Sequence, residues 1–530
     1  MPYAGTGNYE VAAAGGGAVD ITVGVDAPGS LTFSGGSYQI AAGLAVGIAA
    51  YGTAYGVLRL TGGTDITFAS SPGLSPAVDV AADVSGAPGV NAYGYLDVGA
   101  GSRLISRNDH GADEAYANFR VGTTPGSAGQ ISVDGVGALL SAEGAGARIN
   151  LGLNGGEGSL VVLNGARAQS LGLQVGANGG VGQAYLSGSG STLILSSAYG
   201  AYADPAAAGQ SGAAVFGSGT GAGFLGVING ARFRVTNVDG ETDGALVRFG
   251  RDNGSRGDGV VTGAGSVLEV IQAGTIGDDA PAGATLLVGE GGYGRLLLDD
   301  NALATVTGEA ARLAVANGRY TGGAPDVTVE VSLLSLSGGA DLVVDSQGFG
   351  GATLLVGGGL DATGRLTAAG SGTTIAVTGT ATGDDPDTGQ VILGVQGTGA
   401  AELSEGASLT ARNLELARGA GASGTLDIRS GAEAIITGEA GANLGIEAGI
   451  AAGSTAALTV QGAGSVLTSQ GGAGLMRIGL LGSATLDVTS GGTARAGLLE
   501  AGIGADGFGV VTVDGQGSRL TVSGAYGSFS

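Results

Sequence analysis

The sequence predicts an all-β fold, a right-handed parallel β-helix (β-solenoid) of about sixteen coils with three short strands each. Three observations predict it: a repeated pattern of strand, glycine corner and strand; alternation of apolar and polar residues with a period of two; and 114 glycines among 530 residues. A hydrophobic content of 43% does not fit a disordered chain. With only 10 prolines and no three-residue period, collagen is excluded as well.

The repeat is clearest in residues 511–522, where Val-Thr-Val-Asp-Gly-Gln-Gly-Ser-Arg-Leu-Thr-Val reads as a strand, a corner and a second strand. Residues 458–467 repeat this pattern almost residue for residue. Glycine suits such corners because it adopts positive φ without a Cβ clash. One corner per copy, at a mean step of about 32 residues, falls at Gly35, Gly62, Gly99, Gly135, Gly165, Gly188, Gly230, Gly263, Asn301, Gly338, Gly370, Gly406, Gly431, Gly462, Gly491 and Gly515.

A further strand that ends in glycine precedes the corner pattern, as in Phe119-Arg-Val-Gly122 and Leu173-Gln-Val-Gly176. A minimal copy therefore holds three strands and three turns, which is one coil of a solenoid whose strands pair in parallel with the neighbouring coils. A β-propeller is the main alternative, but its blades need four antiparallel strands, for which the shortest repeats are too short. Composition is uniform and no linker divides the chain. We expect an N-terminal strand segment or interface over residues 1–27 and a continuous β-solenoid over residues 28–530.

Charge and composition exclude several classes of protein. There are 45 acidic and 21 basic residues, all of the latter arginine, and the net charge of −24 has the wrong sign for a nucleic-acid binder. The absence of cysteine excludes disulfide scaffolds, cysteine-based zinc sites and thiol nucleophiles. A catalytic triad or a multi-histidine metal site would have to be built around His110, the only histidine. No segment is long and apolar enough to span a bilayer, so we expect no membrane span.

The run Leu-x-Val-x-Gly-x-Gly-Ser-x-Leu, followed by Leu-x-Val-Gly, resembles the glycine-rich repeats of bacterial type V secretion (autotransporter) passengers and of PEP-CTERM-associated repeat proteins. The likeness extends from about residue 28 to residue 524. It implies a secreted, adhesin-like β-helix, extracellular or at the cell surface of a Gram-negative bacterium. It provides no catalytic residues to transfer.

Two features depart from that family. An autotransporter ends in a membrane β-barrel of alternating aromatic strands and begins with a basic and then apolar export signal. Residues 1–10 and 525–530 have neither pattern. We expect either that these parts are removed or that export uses a C-terminal signal.

Acidic clusters suggest a cation site. Asn237, Asp239, Glu241 and Asp243 place oxygen ligands at every second position before a glycine, and this spacing lets them converge on a hard cation such as Ca²⁺. Asp384, Asp385 and Asp387 form a second cluster. No glutamate follows at the distance at which a calcium loop usually ends, and a hydrophilic insertion that keeps the protein soluble explains the same residues.

The sequence therefore favours an extracellular structural or adhesive protein, not an enzyme, that self-assembles head to tail into a surface or matrix filament such as that of a biofilm. Its expected partners are other copies of itself and cell-surface components or polysaccharide. We expect assembly because no polar cap is evident beyond the strands at Val19–Val25 and Leu520–Val522. The alternatives are a polysaccharide lyase or hydrolase on a β-helix and a monomeric passenger adhesin. The 14 tyrosines, scattered singly along the sequence, do not favour the enzyme.

Overall fold

The chain divides into two compact units, Met1–Pro281 (unit 1) and Ala282–Ser530 (unit 2), and each is described by itself. A computed structural model describes residues 8–11, 21–40, 43–49, 51–69, 77–83, 90–108, 118–144, 146–196, 213–237, 244–272, 283–318, 331–348, 351–381, 389–438, 445–470 and 474–524. The expected division into residues 1–27 and 28–530 stays a prediction.

Unit 1 consists of short strands joined by turns and insertions. Its strands are β1 (Asn8–Val11), β2 (Ile21–Val25), β3 (Pro28–Ser34), β4 (Ser37–Ile40), β5 (Leu44–Ala49), β6 (Ala54–Thr61), β7 (Asp65–Ala69), β8 (Val78–Asp83), β9 (Ala92–Val98), β10 (Arg103–Asn108), β11 (Asn118–Val121), β12 (Ser127–Asp134), β13 (Leu139–Gly144), β14 (Arg148–Leu153), β15 (Glu157–Leu163), β16 (Arg167–Ser170), β17 (Gly172–Ala177), β18 (Val181–Ser187), β19 (Thr192–Ser196), β20 (Ala213–Ser218), β21 (Ala222–Ile228), β22 (Arg232–Asn237), β23 (Leu246–Phe249), β24 (Arg256–Thr262) and β25 (Val267–Gln272).

Unit 2 is built in the same way. Its strands are β26 (Thr285–Val288), β27 (Tyr293–Asp299), β28 (Leu303–Gly308), β29 (Arg312–Val315), β30 (Ser332–Leu336), β31 (Asp341–Gly348), β32 (Thr353–Val356), β33 (Thr363–Ala369), β34 (Thr374–Ala381), β35 (Gln390–Leu393), β36 (Thr398–Ser404), β37 (Ser408–Ala411), β38 (Asn413–Leu416), β39 (Ser423–Arg429), β40 (Glu433–Ile436), β41 (Gly445–Ala448), β42 (Thr455–Gln461), β43 (Val466–Ser469), β44 (Leu475–Ile478), β45 (Ser483–Thr489), β46 (Thr493–Ala496), β47 (Leu498–Ala501), β48 (Phe508–Asp514) and β49 (Arg519–Val522).

Within each unit the strands fall into three sheets, visited in the same order by every coil. Sheet I contains β2 and every third strand after it, sheet II contains β3 and every third strand, and sheet III contains β1 and every third strand. Neighbouring coils pair in parallel and in register, as β6 does with β9 and β42 with β45. Each unit has eight sheet I strands and eight sheet II strands, and none of the described residues lies in a helix. The predicted fold class, a right-handed parallel β-helix of about sixteen coils, is confirmed.

Columns of like apolar side chains fill the interior. In unit 1 Val98, Val133 and Val162 stack in register with none of their surface exposed. In unit 2 Leu458 and Leu486 stack in the same way. Full burial of such a side chain contributes about 1.5–3 kcal/mol. The core therefore consists of the inward apolar residues of the predicted alternation, and the polar residues between them face outward.

The corners between sheets II and III turn through left-handed backbone. The φ angle is +94° at Gly188 and +57° at Asn301, and every predicted corner except Gly99 lies in this region. Asparagine tolerates it better than most residues with a side chain. Glycine and asparagine at these corners thus allow a short turn that each coil repeats.

Where a corner has the Gly-x-Gly-Ser motif, its serine connects that corner to the preceding coil through hydrogen bonds. Ser191 is fully buried, and its Oγ donates a hydrogen bond to the carbonyl of Ser187 at 2.7 Å. The same Oγ accepts a hydrogen bond from the amide N–H of Gly165, in the preceding coil, at 3.0 Å. Ser266 and Ser465 make the same pair of bonds. One hydroxyl therefore satisfies a donor in one coil and an acceptor in the next.

The corner between sheets I and II leaves little space for side chains, and most coils have glycine there. A Cβ on Gly158, in sheet II, would lie 2.2 Å from the carbonyl oxygen of Val121 and 2.3 Å from the amide nitrogen of Gly152, both in sheet I. Small residues replace glycine in some coils: a Cβ on Gly94 would lie 2.5 Å from the nitrogen of Ala81, and in one coil of unit 2 Ala316 and Ser332 occupy the two positions. Backbone therefore packs directly on backbone at this corner.

Outward columns carry charge. Arg477 lies between carboxylates of the two neighbouring coils, with Nη1 2.7 Å from Oε1 of Glu447 and Nε 3.0 Å from Oε2 of Glu500. Burial lowers the pKa of Arg477, but hydrogen bonds to Glu500 and Glu447 outweigh this effect and the pKa lies above its ordinary value. The guanidinium stays charged and bridges three coils.

We predict that Ser191→Ala lowers the free energy of unfolding by about 1–3 kcal/mol, because it removes a buried hydroxyl that bonds to both the amide of Gly165 and the carbonyl of Ser187. Ser189→Ala, at an exposed position of the same corner, is the matched control and changes the free energy of unfolding by less than about 0.5 kcal/mol. Urea denaturation followed by circular dichroism measures both. Equal midpoints for the two variants would show that the buried hydroxyl does not fasten the coils.

Candidate functional site

A groove runs along the outer surface of sheet II in unit 1. It has a volume of about 390 Å³, within the range of ligand sites. It crosses five successive coils, through β6, β9, β12, β15 and β18. Two adjacent outward columns form it: the first is Tyr55, Tyr93, Ala128, Glu157 and Val181, and the second is Val57, Tyr95, Gln130, Ser159 and Gln183.

Two stacked tyrosines form one wall of the groove. Tyr55 and Tyr93 are directly paired in register, with ring centroids 4.9 Å apart and ring planes at 23°. Because strands in a sheet are about 4.8 Å apart, the rings stack along the direction in which coils repeat. The next residue of this column is Ala128, whose methyl group does not continue the stack. The second face of Tyr93 is therefore turned toward the groove.

The remaining lining side chains are mostly uncharged and polar. Gln130 and Gln183 provide amides, and Ser159 provides a hydroxyl. Glu157 is exposed and is the single carboxylate among the lining residues, which include no arginine. The groove thus combines an aromatic wall with hydrogen-bond donors and acceptors.

Charged groups lie beside the aromatic wall. Asp97 occupies the outward position of β9 that follows Tyr95. Burial raises its pKa, Arg59 in the preceding coil lowers it, and Asp134 raises it again, with a net increase. Arg59 and Asp97 are neighbours in register and offset each other, so Glu157 is the charge that disfavours an anion in the groove.

The groove was not predicted from the sequence, because the tyrosines are scattered singly along the chain. Tyr55 and Tyr93 are separated by 38 positions along the chain, yet they are neighbours across one coil. The signal that would have found them is the glycine that follows each, since Gly56 and Gly94 occupy the same column. Alignment of the coils on that glycine places Tyr55 beside Tyr93.

Most of the predicted cation ligands lie outside the described residues. These are Asp239, Glu241, Asp243, Asp384, Asp385 and Asp387, and His110 lies outside them too. Among the residues that the structure does describe, no group of three or more histidine or acidic side chains is arranged to hold a metal ion. The predicted Ca²⁺ sites stay a prediction.

Asn237 is the one predicted ligand that the structure describes. It ends β22 and is fully buried, on the same inward side of the strand as Phe233 and Val235. Neither its Oδ1 nor its Nδ2 has a hydrogen-bond partner among the described residues. Its neighbour in the next coil, Gln272, is also buried, but its Oε1 accepts the amide N–H of Ala245 at 3.2 Å.

No known protein family matches the chain, and no curated protein is significantly similar to it. The likeness of the repeats to autotransporter passengers and PEP-CTERM-associated proteins therefore stays a resemblance in sequence pattern. The three-sheet parallel β-helix is the part of it that is confirmed. In the described ranges there is no helix with the length and apolar character needed to cross a membrane.

We predict that Asn237→Leu raises the free energy of unfolding in EDTA by about 1–3 kcal/mol, because it removes a buried polar group that has no partner among the described residues. Gln272→Leu is the matched contrast and lowers it, since the substitution leaves the amide of Ala245 unpaired. Thermal denaturation measures both variants. A destabilised Asn237→Leu protein would mean that this amide has a partner in the native state.

The same melting curves, repeated in millimolar calcium, test the predicted cation loop. A ligand that binds only the native state raises the melting temperature. If Asn237 binds Ca²⁺, calcium raises the melting temperature of the wild type and this rise is absent in Asn237→Leu. Identical wild-type curves in calcium and in EDTA would contradict a structural calcium site.

Proposed function

We propose that this protein is an extracellular structural and adhesive β-helix that assembles head to tail with copies of itself at the surface of a Gram-negative bacterium or in the surrounding matrix. The observation that carries the proposal is an exposed apolar patch on the last two described coils of unit 2. Solvent reaches 62% of Phe508, 45% of Leu481, 42% of Ile503 and 37% of Val510. Large exposed apolar side chains on neighbouring coils are typical of contact sites between proteins.

The patch differs chemically from the corresponding surface one coil earlier. Phe508 and Val510 pair in register with Ser483 and Thr485, so the outward face changes from hydroxyl to apolar at this step. Leu481 lies beside Gly504, at the corner that leads into β48. Leu481 and Gly504 therefore meet at the corner that leads into the strand that carries Phe508 and Val510.

Coil stacking offers a geometry for association. Each coil accepts the next through parallel backbone pairing, and a contact that repeats this arrangement between copies is heterologous and need not close. The net charge of −24 opposes association, so salt or calcium should favour it. A heterologous contact of this kind, repeated from copy to copy, forms an open filament.

Enzymatic function is the alternative. Hydrolysis of glycosides by the usual route needs two carboxyl groups placed across the bond that is cleaved. Glu157 is the single carboxylate that lines the groove. This supports binding over catalysis at the groove.

The composition is also compatible with export. A chain that has no cysteine agrees with an oxidising or extracellular environment.

We predict that the wild type forms linear assemblies in the presence of salt or calcium and that Phe508→Asp weakens assembly at least about tenfold, because it places a charge in the apolar contact. Val136→Asp, at a residue of unit 1 that is 79% exposed, is the matched control and leaves assembly unchanged. Light scattering and electron microscopy measure both. A wild type that stays monomeric at high concentration with calcium, or a Phe508→Asp protein that assembles normally, contradicts the proposal.

A further inference from the structure

We infer that the groove on sheet II binds the hexopyranose units of an uncharged polysaccharide, which makes this groove the adhesive site. The inference rests on the adhesive part of the proposed function and names its partner. It is carried by the shape of the groove, by the kinds of hydrogen-bonding group that line it and by its charge.

The shape of the groove fits a flat ring with apolar faces. Tyr55 covers one face of Tyr93 at 4.9 Å, and the methyl group of Ala128 leaves space beside the other face. A sugar ring that enters this space lays its C–H face against the aromatic face of Tyr93. An aromatic ring presents a negative face, which attracts the weakly positive hydrogens of such a surface.

The polar lining fits a ligand with many hydroxyl groups. Amides of Gln130 and Gln183 both donate and accept, the hydroxyl of Ser159 does the same, and Glu157 accepts. These side chains lie in the coils that follow Tyr93, on the side of its open face. Sugar hydroxyls also donate and accept, so a ring stacked on Tyr93 has partners of both kinds around its edge.

The charge of the groove selects an uncharged ligand. No arginine lines the groove, so a carboxylate, sulfate or phosphate on the ligand would have no cationic partner there. Glu157 in the groove repels such groups, and the net charge of −24 adds to the repulsion, whereas Asp97 beside the groove is offset by its neighbour Arg59. Acidic polysaccharides and nucleic acids are therefore disfavoured.

The length of the groove fits a chain and not a single sugar. It crosses five coils at about 4.8 Å per coil, and is therefore about 20 Å long. Val181 and Gln183 bound it at the far side from the tyrosines. An extended oligosaccharide that follows the coil direction contacts both ends, which favours a polymer over a free monosaccharide.

The test measures binding of soluble glucan, galactan and mannan to the full chain by isothermal titration calorimetry, with polygalacturonate and a tryptic peptide mixture as comparison ligands. We expect at least one neutral polysaccharide to bind and polygalacturonate and the peptides not to bind. Tyr93→Ala should weaken binding about tenfold or more, and Tyr93→Phe should preserve it because the ring remains. Tyr293→Ala, at the same column position in unit 2, is the matched control and leaves the affinity unchanged.

A second variant tests whether binding needs the open space beside Tyr93 or only an apolar surface. Ala128→Tyr adds a third ring to the stack and fills the space beside Tyr93, so we expect it to abolish binding while the melting temperature stays near the wild-type value. Stronger binding by Ala128→Tyr would overturn the inference, as would failure of all three neutral polysaccharides to bind, or preferential binding of polygalacturonate or peptide. The groove variants should assemble like the wild type, so loss of sugar binding is distinguished from failure of the proposed assembly by light scattering on the same samples.

Discussion

Close approach of backbone to backbone at the corner between sheets I and II is the constraint on which the rest of the structure depends. At Gly158 the carbonyl of the preceding coil and the amide of Gly152 together occupy the place where a Cβ would lie. In the coils with glycine at this corner, the contact brings the sheet II strand tightly against the end of a sheet I strand. Every neighbouring coil then follows the same path, and parallel, in-register pairing becomes available to all three sheets.

In-register pairing accounts for the other regular features. Because residues at equivalent positions stack, apolar residues such as Val98 and Val133 form continuous interior columns. The buried hydroxyl of Ser191 connects one corner to the next for the same reason. Outward positions are free of these demands, so they vary between coils. The tyrosine wall and the apolar patch at Phe508 both occupy such outward positions.

Much of the fold could be predicted from the sequence because local rules determine it. A strand that ends in glycine, as at Phe119–Gly122, and a corner such as Gly188 follow from backbone preferences that are readable over a few residues. Gly99 has no left-handed φ, and there the turn reaches positive φ at Gly101 instead. The role of the serine in Gly-x-Gly-Ser was not predicted, since its amide partner lies in the preceding coil.

The groove could not be predicted because it depends on which residues meet across coils. Insertions of different length separate the coils, so the distance along the chain between stacked residues is irregular. Tyr55 and Tyr93 therefore look unrelated until the coils are aligned. Asn237 illustrates the same limit: its spacing in the sequence suggests an oxygen ligand, whereas strand alternation puts its side chain on the inward face beside Val235.

The most direct test of the central constraint is the thermal stability of Gly158→Ala compared with Gly52→Ala. Gly52 has no atom within 4 Å of the position of an added Cβ, and its φ lies outside the left-handed region, so it reports the effect of a methyl group alone. We predict that Gly158→Ala lowers the free energy of unfolding by about 1–3 kcal/mol, as overpacking does, and that Gly52→Ala changes it by less than about 0.5 kcal/mol. Equal melting temperatures for the two variants would contradict it.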